Sequence, residues 1–193
     1  MRAMILAAGL GTRLKPFTNH HPKALAVVNG KTLLQRNIEY LQDYGIYEVV
    51  VNVHHFANQM KDAIQKNKGW GSNVTISDES EEVLETGGGL LRAKAHFENE
   101  AKWLVMNADI LTNLDLGKML EADKAFDASS EGEMVATLAV TNRTTSRNLI
   151  FNTAGTLCGW RNNTTNEEKW ANPLKDSSMA VPKAFSGIQI VHA

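Results

Sequence analysis

The opening stretch of the chain constrains the fold more than any other part of it. A short apolar run, Met4 to Ala8, is typical of a β-strand that is buried on both faces. Gly9 and Gly11 end this run, and Thr12 and Arg13 follow directly. Glycine adopts positive φ freely and carries no Cβ, so a turn of this composition can present backbone N–H groups to an anion. The stretch therefore predicts a buried strand that leads into a phosphate-binding turn.

Two better-known phosphate loops do not fit this turn. The Walker loop requires Gly, four residues and then Gly-Lys-Ser/Thr, and no such string occurs in the sequence. The dinucleotide fingerprint requires a third glycine where Leu14 stands, and an acidic residue after the second strand, where the chain reads Asn52 to His55. A nicotinamide-dependent dehydrogenase is therefore disfavoured. For the Gly-x-Gly pair alone, a plain strand-to-loop connection with solvated charges is the alternative.

Composition and charge exclude several other classes. The net charge of −1 and the pI of about 6.6 provide no basic field for a nucleic-acid backbone. The single cysteine, Cys158, can form neither an internal disulfide nor a structural zinc site, which indicates a reducing cytoplasm. No apolar run approaches the ~20 residues that a membrane-spanning helix needs. Neither nucleic acid nor a membrane is an expected partner.

Helical and strand patterns alternate through the first two thirds of the chain, which predicts a mostly parallel sheet. The predicted helices are Thr32–Tyr44, Phe56–Lys66 and Asp115–Phe126, and the predicted strands are Tyr47–Val53, Val74–Ser77 and Trp103–Met106. His54 and His55 follow one of these strands but have no partner at metal-ligand spacing, so a structural role is favoured for them.

The last third reads as β-rich. Met134–Val140, a hairpin of Asn148–Asn152 with Thr156–Trp160, and Lys183–His192 are predicted strands. The polar segments 127–133 and 162–176 are predicted to be irregular. This part of the chain is expected to shape a ligand pocket and not to carry catalytic groups.

A second glycine-rich stretch follows an acidic run. The run Asp78 to Glu82 is predicted to be a solvated loop, because carboxylates would repel a triphosphate. The segment Leu84 to Gly89 is predicted to be a loop before a helix that begins at Leu90. Its free N–H groups and the positive end of the helix dipole could then face a flat ligand or a phosphate. An ordinary flexible loop is the alternative.

One aspartate stands at the end of a predicted buried strand. Asp109 follows Asn107 and Ala108, directly after the strand that ends at Met106. A carboxylate at such a position is costly unless it meets a cation or hydrogen-bond donors. Mg²⁺ commonly binds one or two carboxylates together with substrate phosphates. Asp109 is therefore a candidate metal ligand, with an aspartate that merely opens a turn as the alternative.

Taken together, these motifs resemble the signature of the sugar-1-phosphate nucleotidyltransferases, also called nucleoside-diphosphate-sugar pyrophosphorylases. Leu6 to Leu14, Pro16, Thr18 and Pro22 to Leu25 match it residue by residue. The amino-acid sequence of Leu84 to Gly89 is similar to the corresponding sequence in family members that act on N-acetylmuramate 1-phosphate or mannose 1-phosphate. These members use UTP and GTP respectively, so the resemblance leaves the base open.

The resemblance implies an Mg²⁺-dependent reaction in which a sugar 1-phosphate attacks the α-phosphate of a nucleoside triphosphate and releases pyrophosphate. It implies catalytic roles for Arg13 and Lys23, a metal-binding role for Asp109, and sugar contacts at Asn107 and Gly187. Where the family usually has Gly-Asp, this chain has Ala108 before Asp109. The implied nucleotide-binding residues are Leu6, Ala7, Ala8, Gly9, Gly11, Thr12, Arg13, Glu85, Thr86, Gly87 and Gly88.

The resemblance also implies the fold and its extent. The expected fold is an α/β three-layer sandwich, with a mostly parallel Rossmann-like sheet and a β-rich sugar-binding half, within one domain over residues 1–193. In the family a second metal-binding aspartate follows the Phe-Ser-Gly strand, but no aspartate follows Asp176 here. We therefore expect the chain to lack a C-terminal part and to turn over slowly. A non-catalytic nucleotide-binding or regulatory module of the same fold is the alternative.

Overall fold

The computed structural model describes residues 1–81, 84–129, 134–171 and 179–193. Within these ranges the chain forms four α-helices: α1 Leu33–Gln42, α2 Ala57–Lys66, α3 Glu85–Ala93 and α4 Leu116–Ser129. It also forms eleven strands: β1 Ala3–Leu6, β2 Val27–Val28, β3 Lys31–Thr32, β4 Glu48–Val53, β5 Asn73–Asp78, β6 Lys102–Asn107, β7 Ala136–Thr141, β8 Arg147–Phe151, β9 Leu157–Asn162, β10 Glu168–Trp170 and β11 Val181–His192.

The chain divides into two compact units. The first contains residues 1–137 and 189–193, and the second contains residues 138–188. The predicted assignment of the whole chain to one domain stays a prediction. None of the described helices is both long enough and apolar enough to span a membrane.

The first unit is built on a parallel sheet in which the strands run in the order β6–β1–β4–β5. Met4 lies opposite Val50 and Val105, and these three side chains share a buried cluster with Phe97. Apolar runs such as these are buried because neighbouring strands and helices cover both faces of the sheet. The predicted α/β fold class with a mostly parallel sheet is confirmed.

The register of the parallel strands places Leu6, Asn52 and Asn107 side by side at one edge of the sheet. Leu6, the last residue of β1, lies opposite Asn52 of β4 and Asn107 of β6. The carboxyl ends of parallel strands meet at the same edge of a sheet, which is where open α/β folds bind ligands. The loops that follow these strands therefore begin side by side.

The second unit is antiparallel. β8 and β9 form the predicted hairpin, with Arg147 opposite Asn162. β10 adds to β9, and β11 pairs with β8 through Val181 and Phe151. The prediction of a β-rich second part is confirmed.

Three predictions differ from the structure by more than two residues. Helix α3 begins at Glu85 instead of Leu90, so its three glycines lie inside the helix and not in a loop before it. Helix α4 continues through residues 127–129, and β10 occupies 168–170 within a segment predicted to be irregular. Glycine and polar residues have low helix or strand propensity, but tertiary packing overrides propensity. Within those two segments, residues 130–133 and 172–176 lie outside the described residues.

A buried carboxylate joins four elements of the first unit. The side chain of Asp123 in α4 is fully buried and accepts hydrogen bonds from Lys102 Nζ at 2.6 Å, Thr137 Oγ1 at 2.7 Å and His192 Nε2 at 2.9 Å. Burial alone would raise the pKa of Asp123, but the bonds from Lys102, Thr137 and His192 together hold the pKa below its ordinary value. The carboxylate therefore ties β6, β7 and β11 to α4.

We expect Asp123→Asn to lower the free energy of unfolding by about 2 kcal/mol at neutral pH, since hydrogen bonds to a buried charge are lost. Because the pKa of Asp123 is lowered by folding, this stabilisation is present above the unfolded-state pKa and is lost as the pH falls through the folded-state pKa. Urea unfolding at neutral pH and at about pH 3 measures both quantities. Asp62→Asn, an exposed position on α2, is the control. An equal loss at both pH values would contradict the expectation.

Candidate active site

A cavity of about 430 Å³ opens at the carboxyl edge of the parallel strands in the first unit. It is lined by Leu6, Ala7, Ala8, Gly9, Leu10, Gly11, Thr12, Arg13, Lys23, Ala24, Asn52, Glu79, Leu84, Thr86, Asn107, Ala108 and Asp109. The structure thus brings the glycine turn together with Lys23 of the same signature and with two residues from a distant part of the sequence, Asn107 and Asp109. Their contacts with a ligand stay predictions.

The other predicted site residues lie in two places. Thr86 lines the cavity from α3, and Glu85, Gly87 and Gly88 belong to the first turn of the same helix. Gly187 lies in β11, in the part of that strand that belongs to the second unit. The sugar contact of Gly187 stays a prediction.

The glycine turn has a conformation that brings Lys23 to it. Gly11 has φ +65°, and a Cβ there would lie 2.8 Å from Thr18 Cγ2 and 3.0 Å from Lys23 Cβ. The hydroxyl of Thr18 donates a hydrogen bond to the Gly11 carbonyl at 2.9 Å. Gly11 is therefore required both by its backbone conformation and by the close approach of the segment that carries Lys23.

Two cationic side chains line the cavity, one paired with an acid and the other unpaired among the described residues. Lys23 Nζ donates to Asp109 Oδ2, so the predicted catalytic lysine and the predicted metal-binding aspartate form an ion pair. Their side chains are 19% and 26% exposed, so neither is sealed from the cavity. Arg13 is exposed and has no hydrogen-bond or ion-pair partner among the residues that the structure describes. A free guanidinium at this position can bind an anionic ligand.

The position of Glu79 contradicts one prediction. The acidic run that contains it is predicted to be a solvated loop, but Glu79 is only 1% exposed and lines the cavity. Its Oε1 accepts a hydrogen bond from Asn52 Nδ2 at 3.0 Å, and its Oε2 has no partner among the described residues. The backbone N–H of Glu79 donates to the Val53 carbonyl, which turns the chain inward at this residue. The neighbouring Asp78 remains half-exposed and paired with Lys61, whereas Glu82 lies outside the described residues.

Asn52 also occupies one of the backbone N–H groups at the start of the glycine turn, so that group cannot bind a ligand. Its Oδ1 accepts the backbone N–H of Ala7 at 2.7 Å, so this N–H is already engaged. The Leu6 carbonyl accepts the N–H of Ala108. The N–H groups of Ala8 and Gly9 are among those in the turn that have no acceptor within the described residues, so they remain available to an anion.

A buried asparagine in α1 supports the turn that carries Asp109. Asn37 is 3% exposed, and its Nδ2 donates to the Ala108 carbonyl at 2.9 Å. Sequence reasoning missed Asn37, Asn52 and Glu79 because each looks like an ordinary polar residue in its own segment. A polar residue at an otherwise apolar helix position, as at Asn37, is the signal that could have found one of them.

The three glycines of α3 meet different surroundings. A Cβ at Gly87 would meet no atom within 4 Å, whereas one at Gly88 would lie 2.9 Å from Leu84 Cβ. A Cβ at Gly89 would lie 2.9 Å from Glu79 Oε1 and 3.0 Å from Asn52 Nδ2. Gly89 therefore lets α3 pack on the Asn52–Glu79 pair, which is a packing requirement and not a contact with ligand.

The fit of a metal ion rests on Asp109. Within the described ranges, no three His, Cys, Asp or Glu side chains lie close enough together to hold a metal. A single cavity-facing carboxylate nevertheless fits Mg²⁺, which takes most of its ligands from water and phosphates. His54 is engaged elsewhere: its Nδ1 lies 2.6 Å from the Glu79 carbonyl, as the structural interpretation of this histidine predicts.

A family model for nucleotidyl transferases matches residues 2–148. The chain therefore belongs to the nucleotidyl transferase family. The signature residues of the opening stretch, with Lys23 and Asp109, lie within the matched range.

Two curated relatives are similar to part of the chain. The chain is 40% identical over 122 residues to the N-acetylmuramate alpha-1-phosphate uridylyltransferase of Caulobacter vibrioides, an alignment that covers 62% of this chain and 50% of that protein. It is 37% identical over 119 residues to the D-glycero-alpha-D-manno-heptose 1-phosphate guanylyltransferase of Campylobacter jejuni, covering 62% and 52%. The chain spans about half the length of these curated relatives.

Solved structures support the fold. The crystal structure of HddC from Yersinia pseudotuberculosis complexed with GMP-PN matches with a TM-score of 0.74, over 99% of this chain and 76% of that one. A putative glucose-1-phosphate thymidylyltransferase from Bacillus anthracis matches with a TM-score of 0.73, over 100% and 71%. The sequence identities are 23% and 15%, so these likenesses concern the fold alone.

The surroundings of the α3 glycines predict opposite effects of the same substitution. Gly87→Ala should raise the free energy of unfolding by up to about 1 kcal/mol, because alanine favours the helix and the space is open. Gly89→Ala should lower it by about 1–3 kcal/mol, because the new methyl group would press on a buried, hydrogen-bonded pair. Urea unfolding of both variants measures the difference. Equal stability of the two variants would show that α3 does not pack on Asn52 and Glu79.

Proposed function

We propose that this chain transfers a nucleoside monophosphate from a nucleoside triphosphate to a sugar 1-phosphate, giving a nucleoside-diphosphate sugar and pyrophosphate. The observation that carries the proposal is the meeting of Arg13, Lys23 and Asp109 with the glycine turn in one cavity. Phosphoryl-type transfer asks a protein mainly for positioning and for cations near the developing charge. A module that only held a nucleotide would not need a lysine and a carboxylate paired beside the turn. Membership of the nucleotidyl transferase family also favours the transferase over the non-catalytic alternative.

In the proposed reaction, a phosphate oxygen of the sugar 1-phosphate attacks the α-phosphorus, and the bond from that phosphorus to pyrophosphate breaks. The free guanidinium of Arg13 would hold the triphosphate against the N–H groups of the turn. Lys23 would exchange its bond with Asp109 for the reacting phosphates and would stabilise their charge in the transition state. Asn107 and Gly187 would contact the sugar.

Asp109 would hold Mg²⁺ when the nucleotide is bound. The ion would neutralise charge on the phosphates. Asp109 would contribute a carboxylate oxygen, and Asn37 would keep that carboxylate in place through the Ala108 carbonyl. The Thr86 end of α3, with Glu85, Gly87 and Gly88, would lie against the base.

For the substrates we propose UTP or GTP and a sugar 1-phosphate, and for the compartment the cytoplasm. The names of the similar uridylyl- and guanylyltransferases support these two bases. Pyrophosphate release measured with UTP, GTP, CTP and ATP, each with a panel of sugar 1-phosphates, tests the assignment. Release with none of these pairs, together with no triphosphate binding by calorimetry, would refute the proposed function.

We expect Lys23→Ala to lower turnover by about 10²-fold or more, the loss that follows removal of one preorganised charge-stabilising group. Lys15→Ala is the matched control, because Lys15 lies in the same stretch of sequence but is not a signature residue and does not line the cavity. Steady-state pyrophosphate release measures both variants. Unchanged turnover in Lys23→Ala would remove this lysine from the reaction.

We expect Asp109→Asn to weaken the binding of a divalent cation to the nucleotide complex by about tenfold or more, since a metal ligand matters at least as much as the groups around it. Mn²⁺ titration followed by electron paramagnetic resonance, in the presence of UTP or GTP, measures this without turnover. Asp115→Asn is the control, because Asp115 lies outside the cavity. Equal Mn²⁺ affinity in both variants would assign the metal to other ligands.

A further inference from the structure

The carboxamide of Asn52 connects two segments that are far apart in sequence. Its Oδ1 accepts the N–H of Ala7, at the start of the glycine turn, and its Nδ2 donates to Glu79 Oε1. Asn52 is 2% exposed and Glu79 is 1% exposed, so water does not compete for these bonds. Gly89 of α3 packs directly on the pair. The glycine turn, the end of β5 and the glycine-rich helix therefore meet at one buried amide.

The chemistry of the three groups allows only one orientation of this amide. The Ala7 N–H can only donate, and an ionised carboxylate can only accept. The amide oxygen must therefore face Ala7, and the amide nitrogen must face Glu79. If the amide were reversed, both bonds would be lost at once inside the protein, which is costly for buried polar groups.

The bond to Ala7 lies at the point where β1 ends. Ala7 is the first residue beyond the strand, and a side-chain oxygen accepts its N–H at 2.7 Å. This bond helps to fix the plane of the Leu6–Ala7 peptide, from which the chain continues to the free N–H groups of Ala8 and Gly9. A fixed peptide plane preorganises the turn, and preorganisation lowers the entropy that binding costs.

We propose that Asn52 and Glu79 are positioning residues for the nucleotide: the carboxylate fixes the amide, and the amide fixes the start of the phosphate-binding turn. This inference rests on the proposed function and adds to it two residues that work through Ala7 and not on the phosphates. It assigns a role to a buried acid that charge repulsion alone would exclude from a triphosphate site. The pair acts on nucleotide affinity, so its loss raises KM more than it lowers kcat.

The test exchanges donor and acceptor within the pair. Asn52→Asp keeps the shape of the side chain but sets a carboxylate against the carboxylate of Glu79. Glu79→Gln keeps an acceptor for Asn52 but no longer enforces the orientation of its amide. The double variant Asn52→Asp with Glu79→Gln restores one donor and one acceptor, with the direction of the bond reversed. Asn99→Asp, an exposed position, is the control.

Calorimetric titration with UTP and GTP in the presence of Mg²⁺ gives the affinities. We expect Asn52→Asp to weaken the better-bound nucleotide by about 10- to 100-fold, Glu79→Gln by about three- to fivefold, and the double variant to return within about threefold of the unmodified chain. If the double variant binds as weakly as Asn52→Asp, or if all variants bind equally well, the positioning role is refuted. If the unmodified chain binds neither UTP nor GTP, this inference fails, whereas the proposed function fails only if pyrophosphate release is absent as well.

A pH series separates positioning from a general loss of stability. In Asn52→Asp the two carboxylates can share one proton, so nucleotide affinity should recover as the pH is lowered. His54, whose ring contacts the Glu79 carbonyl, and the Lys23–Asp109 pair across the cavity are the other titratable groups nearby. They are present in every variant, as is the phosphate of the nucleotide, so only the difference from the unmodified chain counts. Recovery in the double variant as well, or none in Asn52→Asp, would overturn the inference.

Discussion

The alignment of parallel strand ends is the constraint on which the site depends. Leu6 lies between Asn52 and Asn107 across the sheet, so three loops start from one edge within hydrogen-bonding reach of each other. Polar groups at the strand ends hold the starts of the loops after β1 and β6, as the Ala7–Asn52 and Leu6–Ala108 bonds illustrate. The apolar strands are held rigid by their packing. Hydrogen bonds from the buried amides then hold the starts of the loops in place.

Charge within the cavity is arranged in two layers. At the surface, Lys23 and Asp109 neutralise each other while both stay partly exposed, so either can accept a new partner at low desolvation cost. Deeper in the first unit, Glu79 is buried and bound by an uncharged amide. In the proposed function, Arg13 and Lys23 would supply the positive charge that a triphosphate engages.

Much of the fold could be predicted from the sequence because local pattern and tertiary structure agree there. The apolar strands, the helices with one buried face and the hairpin in the second unit follow from periodicity and turn residues alone. The opening stretch and Asp109 could be placed at a common edge by the rule for parallel strands. Glu79 could not, since its burial results from one inward turn of the backbone that Asp78 and Glu81 do not share.

The start of α3 shows why a glycine string has two explanations that sequence cannot separate. A glycine is needed wherever a ligand approaches the backbone, and equally wherever another side chain does. In α3 the space around Gly87 is open, whereas Gly89 faces the Asn52–Glu79 pair and Gly88 faces Leu84. Of the three, Gly87 is the position at which no protein atom accounts for the missing side chain. A ligand that requires glycine in this helix would therefore act at Gly87, while the other two glycines are already explained by the packing of the protein itself.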